Sequence, residues 1–206
     1  MLSAFIVHLS SYWLSVMLLY SYEKEYINKS SENIIKYKNA IKISLFNQFG
    51  ITLPLVYLLR NNLEKSFIYS NINFNVCINT LFILFSSGLL FYIFHYILHL
   101  PYFYKKIHKM HHEYIIPMAP ASLYAHPIEH ILCNNLSFLI PFMIFGTTYY
   151  IAMFLIILGS IMVTTSHVDY NFPIFGYSHV IHHKKFNYNY GFGNIFDKIF
   201  GTYRDL

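Results

Sequence analysis

Nine histidines in this chain fall into four groups whose spacing suits metal ligation. His95 and His99 form an H-x-x-x-H pair. His108, His111 and His112 in "HKMHH" and His179, His182 and His183 in "HVIHH" form two H-x-x-H-H boxes, and His167 stands alone in "TTSHVDYNFP". Residues three and four apart share a helical face, so each box is expected to turn its rings toward one metal centre. Nine imidazoles exceed the four to six ligands of a single ion, which points to a dinuclear site fed from distant parts of the chain. An all-nitrogen shell suits zinc, copper, iron or nickel and argues against calcium or magnesium. The soluble carboxylate di-iron bundles rely on E-x-x-H pairs, and the chain contains none.

One H-x-x-x-H in an apolar helix is explained equally well by packing. Two H-x-x-H-H boxes beside it form a much stronger signal, because imidazole near lipid needs a partner. The other three histidines carry less weight. His8 lies in the first apolar stretch and reads as packed or interfacial, and His130 reads as structural. Cys77 and Cys133 sit in apolar stretches, cannot build a thiolate site, and are expected to be buried thiols.

The elements that position these groups are membrane helices. The chain is 56% hydrophobic and 11% charged, against the ~25% charged residues of soluble domains. The formal charge of +5 comes from lysines beside apolar spans, which suits anionic lipid headgroups and gives no case for nucleic acid. Apolar stretches at 1–20, 42–60 and 76–99 are long enough to cross a bilayer. The block 131–166 is too long for one crossing and is broken by "FGTTYY" at 145–150, which predicts a helical hairpin. Pro54 and Pro141 are expected to kink their spans. The first span lacks the basic flank and cleavage site of a removable signal and is read as retained. The fold class is therefore all-α: an integral membrane bundle of four to five spans carrying a histidine-rich cap. Residues 1–75 would supply membrane spans and loops, and 76–206 the catalytic domain. Lysine placement puts the loops 21–41, 101–130 and 167–206 on the cytosolic side, so both H-x-x-H-H boxes share one face. The rival reading is a membrane zinc-binding or metal-transport protein without redox chemistry. A transporter would hold its ligands near the bilayer midplane, so clustering at one interface counts against that role.

The order H-x-x-x-H, H-x-x-H-H, H-x-x-H-H resembles the fatty acid hydroxylase/sterol desaturase superfamily of membrane non-haem di-iron oxygenases. "YAHPIEH" at 124–130 is similar to its A-H-P-x-E segment, "HVDYNFP" at 167–173 to its H-S-G-Y-x-x-P, and "NYGFGNIFDKIFGT" at 189–202 to its tail. Among subfamilies the chain looks nearest to sterol C-4 methyl oxidases and sterol hydroxylases. Asp169 replaces the family glycine and Phe196 its tail tryptophan. The resemblance implies two irons held by His95, His99, His108, His111, His112, His167, His179, His182 and His183, with O2 as co-substrate and zinc able to replace iron in isolated protein. It also implies a sterol or fatty acyl substrate, a cytochrome b5-type donor with its reductase, and residence in the endoplasmic reticulum membrane. His126 falls in the matched segment and is read as a tenth ligand, a residue supporting a ligand, or a structural group. Glu129 and Asp169 are candidates to hold a ligating ring, and Asp197 to cap or brace the last helix.

Overall fold

The computed structural model describes residues 2–68, 71–168 and 177–205. Among them the structure is helical, with one isolated backbone bridge. Four helices are long and apolar enough to cross a membrane: α1 (Leu2–Asn28), α2 (Ser31–Leu58), then, after a short α3 (Arg60–Lys65), α4 (Phe74–Leu98). A second short helix, α5 (Pro101–Lys106), and two 3-10 turns, His108–Glu113 and Ala119–Leu123, lead into the fourth long helix, α6 (Pro127–Phe145). α7 (Tyr149–Thr165), α8 (Tyr177–Lys185) and α9 (Ile195–Phe200) complete the order. The outward faces of the long helices carry exposed apolar side chains such as Met17, Leu81, Phe85 and Phe154. In water such a surface would aggregate; in a bilayer it is the solvated surface.

The expected hairpin is present. α6 ends at Phe145 and α7 starts at Tyr149, with Thr148 capping the amide of Ile151. Gly146 makes the turn at φ 66°, where a Cβ would lie 2.6 Å from the Ser66 carbonyl, so a side chain is excluded twice over. Thr147 exchanges backbone hydrogen bonds with Ser66 and Ile68 (3.2 and 2.9 Å), tying two connections together at the end remote from the boxes. Both intramembrane prolines follow widened turns. A π-helical turn at 47–52 precedes Pro54, and another at 130–136 lies ahead of Pro141. The ring of a proline collides with the carbonyl four residues back, and a π turn is one way to relieve this. The two π turns meet where Thr52 Oγ1 lies 2.8 Å from His130 Nε2. His130 is thus a buried structural group.

Two expectations need correcting. The polar stretch 21–41 is not a loop. It contains no Gly or Pro, so both flanking helices run through it and reverse within two residues, where Ser30 caps the amide of Asn33 and Asn33 Nδ2 donates to Tyr26 O. Cys133 is buried as expected, but Cys77 is exposed on α4. An apolar neighbourhood implies burial only where the solvent is water, and α4 faces lipid. His8 is packed: Nδ1 lies 3.1 Å from Ser160 Oγ on α7, and Nε2 lies 3.3 Å from Gln48 on α2.

The extended ends of α1 and α2 serve as a clamp. Glu23 accepts from the Ala119 amide (2.7 Å), Ser44 donates to Pro120 O (2.7 Å), and Asn47 Nδ2 donates to Leu123 O and Ala125 O (2.9 Å each). Ile27 and Ala40 pack with Tyr114, Met118 and Ala121. Side chains of the first two helices therefore satisfy the Ala119 amide and the carbonyls of Pro120, Leu123 and Ala125 in the irregular segment 114–125, as buried loop backbone requires.

Candidate metal centre

The nine boxed histidines come from four stretches of chain and meet at one end of the bundle. α4 supplies His95 and, at its C-cap, His99. The first 3-10 turn supplies His108, His111 and His112; His167 follows α7; α8 supplies His179, His182 and His183. They separate into two clusters. Cluster A is His95, His99, His108, His112 and His182, and cluster B is His111, His167, His179 and His183. Within each, the candidate ligand atoms all lie within 4.8 Å of one another.

The division corrects the expectation that each box faces one centre. His108 and His112 enter cluster A while His111 enters B; His179 and His183 enter B while His182 enters A. Each H-x-x-H-H box gives its i, i+4 pair to one cluster and its middle histidine to the other. Adjacent residues on a helix point roughly 100° apart, so a box ending in H-H straddles two centres by necessity.

Hydrogen bonding fixes which ring nitrogen faces inward. A carbonyl only accepts, so a ring nitrogen bonded to one carries the proton. Nδ1 of His95 donates to Tyr190 O and Nδ1 of His182 to Tyr188 O, both at 2.6 Å. Nδ1 of His111 donates to Tyr124 O (3.0 Å) and Nδ1 of His167 to Val163 O (2.9 Å). In neutral imidazole the Nε2 atoms of these rings are then bare lone pairs, and they point at other Nε2 atoms. His95 lies 3.0 Å from His108, His182 lies 3.1 Å from both His99 and His112, and His167 lies 3.2 Å from His111. For His111 and His167 both lone pairs are fixed, so the contact is repulsive unless a cation lies between them. Two nitrogens each about 2.1 Å from one ion are about 3.0 Å apart at a right angle and about 3.4 Å apart at the tetrahedral angle. The observed separations match that range. His183 is fully buried and neither of its nitrogens has a hydrogen-bond partner among the described residues, which is costly in an ion-free site. The donor set therefore fits two transition-metal ions.

Electrostatics favours the ligating state. Burial lowers the imidazole pKa of His111 to about 4, and burial reinforced by neighbouring histidines lowers that of His99 to about 2. His108, His112, His167, His179, His182 and His183 are driven the same way, first by burial and then by the crowding of rings. Neutral rings are what a metal takes up.

Beside the clusters, Glu129 Oε2 lies 2.8 Å from His108 Nδ1, at ion-pair distance but without the alignment of a full hydrogen bond. This carboxylate supports His108 from α6, in the way that ligating histidines are commonly held. His126 is in neither cluster. Its Nδ1 accepts from the Ile128 amide (3.2 Å) and caps α6. Asp169 lies outside the described residues. The sequence reading did not find the carbonyls of Tyr124, Val163, Tyr188 and Tyr190. Any residue supplies a carbonyl, so no residue type could have announced them. A small cavity of about 30 Å³ reaches both clusters through His95, His111, His167 and His179, and is otherwise lined by Phe91, Ser122, Glu129, Cys133, Asn134, Val163, Ser166 and Phe192.

Comparison with known families decides the kinship. The profile named "Fatty acid hydroxylase" matches residues 80–202, which hold all nine clustered histidines. The chain belongs to the fatty acid hydroxylase family. It is similar to "Fatty acid hydroxylase domain-containing protein 2" of Homo sapiens, 35% identical over 82% of this chain and 52% of the relative. It is 38% identical to "Fatty acid hydroxylase ahd1" of Mycosarcoma maydis over 54% of this chain and 30% of that one. The "Delta(7)-sterol 5(6)-desaturase" of Eremothecium gossypii is 27% identical across 99% of this chain and 63% of its own length. No solved structure matches. The chain spans about half the length of the first of these relatives. Family and apolar helices together make it a membrane protein.

Proposed function

We propose that this chain is a membrane-bound, di-iron, O2-dependent oxidoreductase that hydroxylates, oxidises or desaturates a C–H bond of a lipid, with a sterol as the favoured substrate class. The observation that carries the reading is the pair of imidazole clusters, five and four, with inward-facing nitrogens 3.0–3.3 Å apart. When bound, two irons supply the activation of O2 for oxidation of an unactivated C–H bond. The nine histidines hold them, with cluster A on His95, His99, His108, His112 and His182 and cluster B on the remaining four. The backbone carbonyls hold four of the rings in the ligating tautomer, and Glu129 stands beside the ring of His108. Burial of the clusters excludes bulk water, and the cavity between them admits a small molecule to both. Its wall includes Phe91, Val163 and Phe192, and at about 30 Å³ it has room for a molecule the size of O2 but not for a lipid.

Relatives named as sterol desaturases support the sterol class, and one named as a fatty acid hydroxylase keeps the acyl alternative in view. A cytochrome b5-type protein and its reductase are the proposed source of electrons, as the family resemblance implies. The lysines beside the cap (Lys105, Lys106, Lys109, Lys184, Lys185) suit an acidic donor. Lysine placement supports an orientation with the metal end on the cytosolic side, and the endoplasmic reticulum is the proposed membrane.

The test is expression with cytochrome b5 and its reductase under 18O2, profiling sterols and acyl lipids together. An 18O-labelled hydroxyl or a new double bond on a sterol, absent from His182→Ala, is expected. The same products on acyl lipids alone would overturn the substrate class and keep the chemistry. Neither product from an iron-loaded protein with a working donor would overturn the enzyme reading.

A further inference from the structure

We infer that Asp197 is a positioning residue for cluster A: through the loop 188–191 it fixes the two carbonyls that orient His95 and His182, and it has no such hold on cluster B. The inference rests on the reading above that each cluster holds an ion. Asp197 is fully buried on α9. Its Oδ1 accepts from the Tyr190 amide and the Thr202 hydroxyl, and its Oδ2 from the Gly191 amide, all at 2.7 Å. A carboxyl group accepting from three donors is a strong anchor for a loop that has no regular secondary structure. The peptide whose Gly191 amide Asp197 holds also presents the Tyr190 carbonyl that receives His95. The Tyr188 carbonyl that receives His182 belongs to the peptide whose Asn189 amide donates to the carbonyl of Thr202, the residue whose hydroxyl Asp197 holds. Both histidine contacts are 2.6 Å. The loop is pinned from its other side by Asn189, whose amide donates to Thr202 O and whose side chain bonds both backbone groups of Arg204.

α9 is in turn seated on the helix that bears His95. Phe196 packs against Phe85 and Tyr92 of α4, and Gly88 lies so close to its ring that a Cβ would meet it at 2.9 Å. The chain thus runs α4, Phe196–Asp197, loop carbonyls, and back to His95 on α4. Cluster B has different supports. His111 is received by Tyr124 O, on the segment clamped by Asn47, and His167 by the carbonyl of Val163 on its own helix. None of these groups touches Asp197.

Two substitutions probe the anchor from opposite sides. Asp197→Asn keeps the shape but turns one acceptor into a donor facing an amide. Gly191→Ala leaves the carboxylate intact and crowds it, because the new Cβ would lie 2.7 Å from Oδ2. Each full-length variant is purified in detergent, loaded with iron or cobalt, and measured for metal per monodisperse chain, for release to a competing chelator, and for the visible spectrum of the cobalt form. The expected result is one ion bound roughly 10- to 100-fold more weakly and the other unchanged. Combining either variant with His167→Ala should then weaken the second ion as well. Two ions held as tightly in both variants as in the parent would overturn this inference alone. Equal weakening of both ions, or no monodisperse protein from either variant, would also overturn it, making Asp197 a brace of the whole fold. A parent chain that takes up no second ion would overturn the two-ion reading and this inference with it.

Discussion

His111 and His112 are neighbours in sequence, yet they lie in different clusters. Replacing each by alanine separates these assignments. A four-ligand structural zinc site is worth roughly 10–16 kcal/mol, so an equal share per ligand is about 2.5–4 kcal/mol. At about 1.4 kcal/mol per tenfold, His111→Ala should weaken the cluster B ion roughly 60- to 700-fold. Cluster A has five candidate ligands, so the share lost in His112→Ala is smaller, and its ion should weaken roughly 30- to 200-fold. The assay is chelator competition on metal-loaded protein, followed by metal analysis per chain. Each single variant should show one early and one unshifted release step. The pairing of double variants is the sharper test. His111→Ala with His167→Ala strikes one ion twice, whereas His111→Ala with His182→Ala strikes both. If His111→Ala and His112→Ala disturb the same release step, the division of the boxes is wrong.

Acid should destabilise the metal-free chain in a defined window. His111 has an ordinary value of 6.5 lowered to about 4 on folding, so below pH 6.5 the unfolded chain takes up a proton that the folded chain refuses. Stability is therefore flat above this range and falls as pH drops toward 4, by about 3 kcal/mol for this one group; melting in detergent that rises on acidification would contradict it. Glu129→Gln should weaken the cluster A ion roughly 10- to 100-fold. His126→Ala should retain both ions and cost only ~1 kcal/mol of stability from the lost helix cap, as metal analysis and melting of the two variants would show. Single cysteines at Lys109 and Lys184 should react with an impermeant reagent from one side of sealed vesicles, and a cysteine at Asn62 from the other. Labelling of the first two from opposite sides would break the shared centre.

Much of this architecture is written in residue types. Hydropathy locates the crossings, because a membrane span must be continuously apolar. "FGTTYY" marks the hairpin, since Gly146 is the residue able to turn there beneath the Ser66 carbonyl. The boxes name every clustered histidine. Their partition was also present in the spacing, since consecutive histidines cannot face the same way, but the one-face rule for i, i+3 and i+4 obscured it. Other features have no local signature. The clamp on 114–125 relies on Glu23, Ser44 and Asn47, whose partners are backbone groups some 76–96 residues away. The stretch 21–41 read as loop because its lysines are polar, although lysine and glutamate are good helix formers. Cys77 read as buried because apolar context is ambiguous between protein interior and lipid.

His99 and His182, whose ring nitrogens stand 3.1 Å apart, are separated by 83 residues of chain. At synthesis rates of about 5–20 residues per second, cluster A waits roughly 4–17 s between the emergence of its first members and of His182. During that interval α6 and α7 must enter the bilayer, so the centre can close only around a membrane topology already established. Until then His95, His99, His108 and His112 form an open half-shell at the aqueous end. An ion held by all five members of cluster A would consequently be a late addition in biogenesis. If iron is the metal, as proposed, a cell short of it would accumulate inserted chains that await loading, and these would be open to capture by whichever divalent ion binds imidazole more tightly.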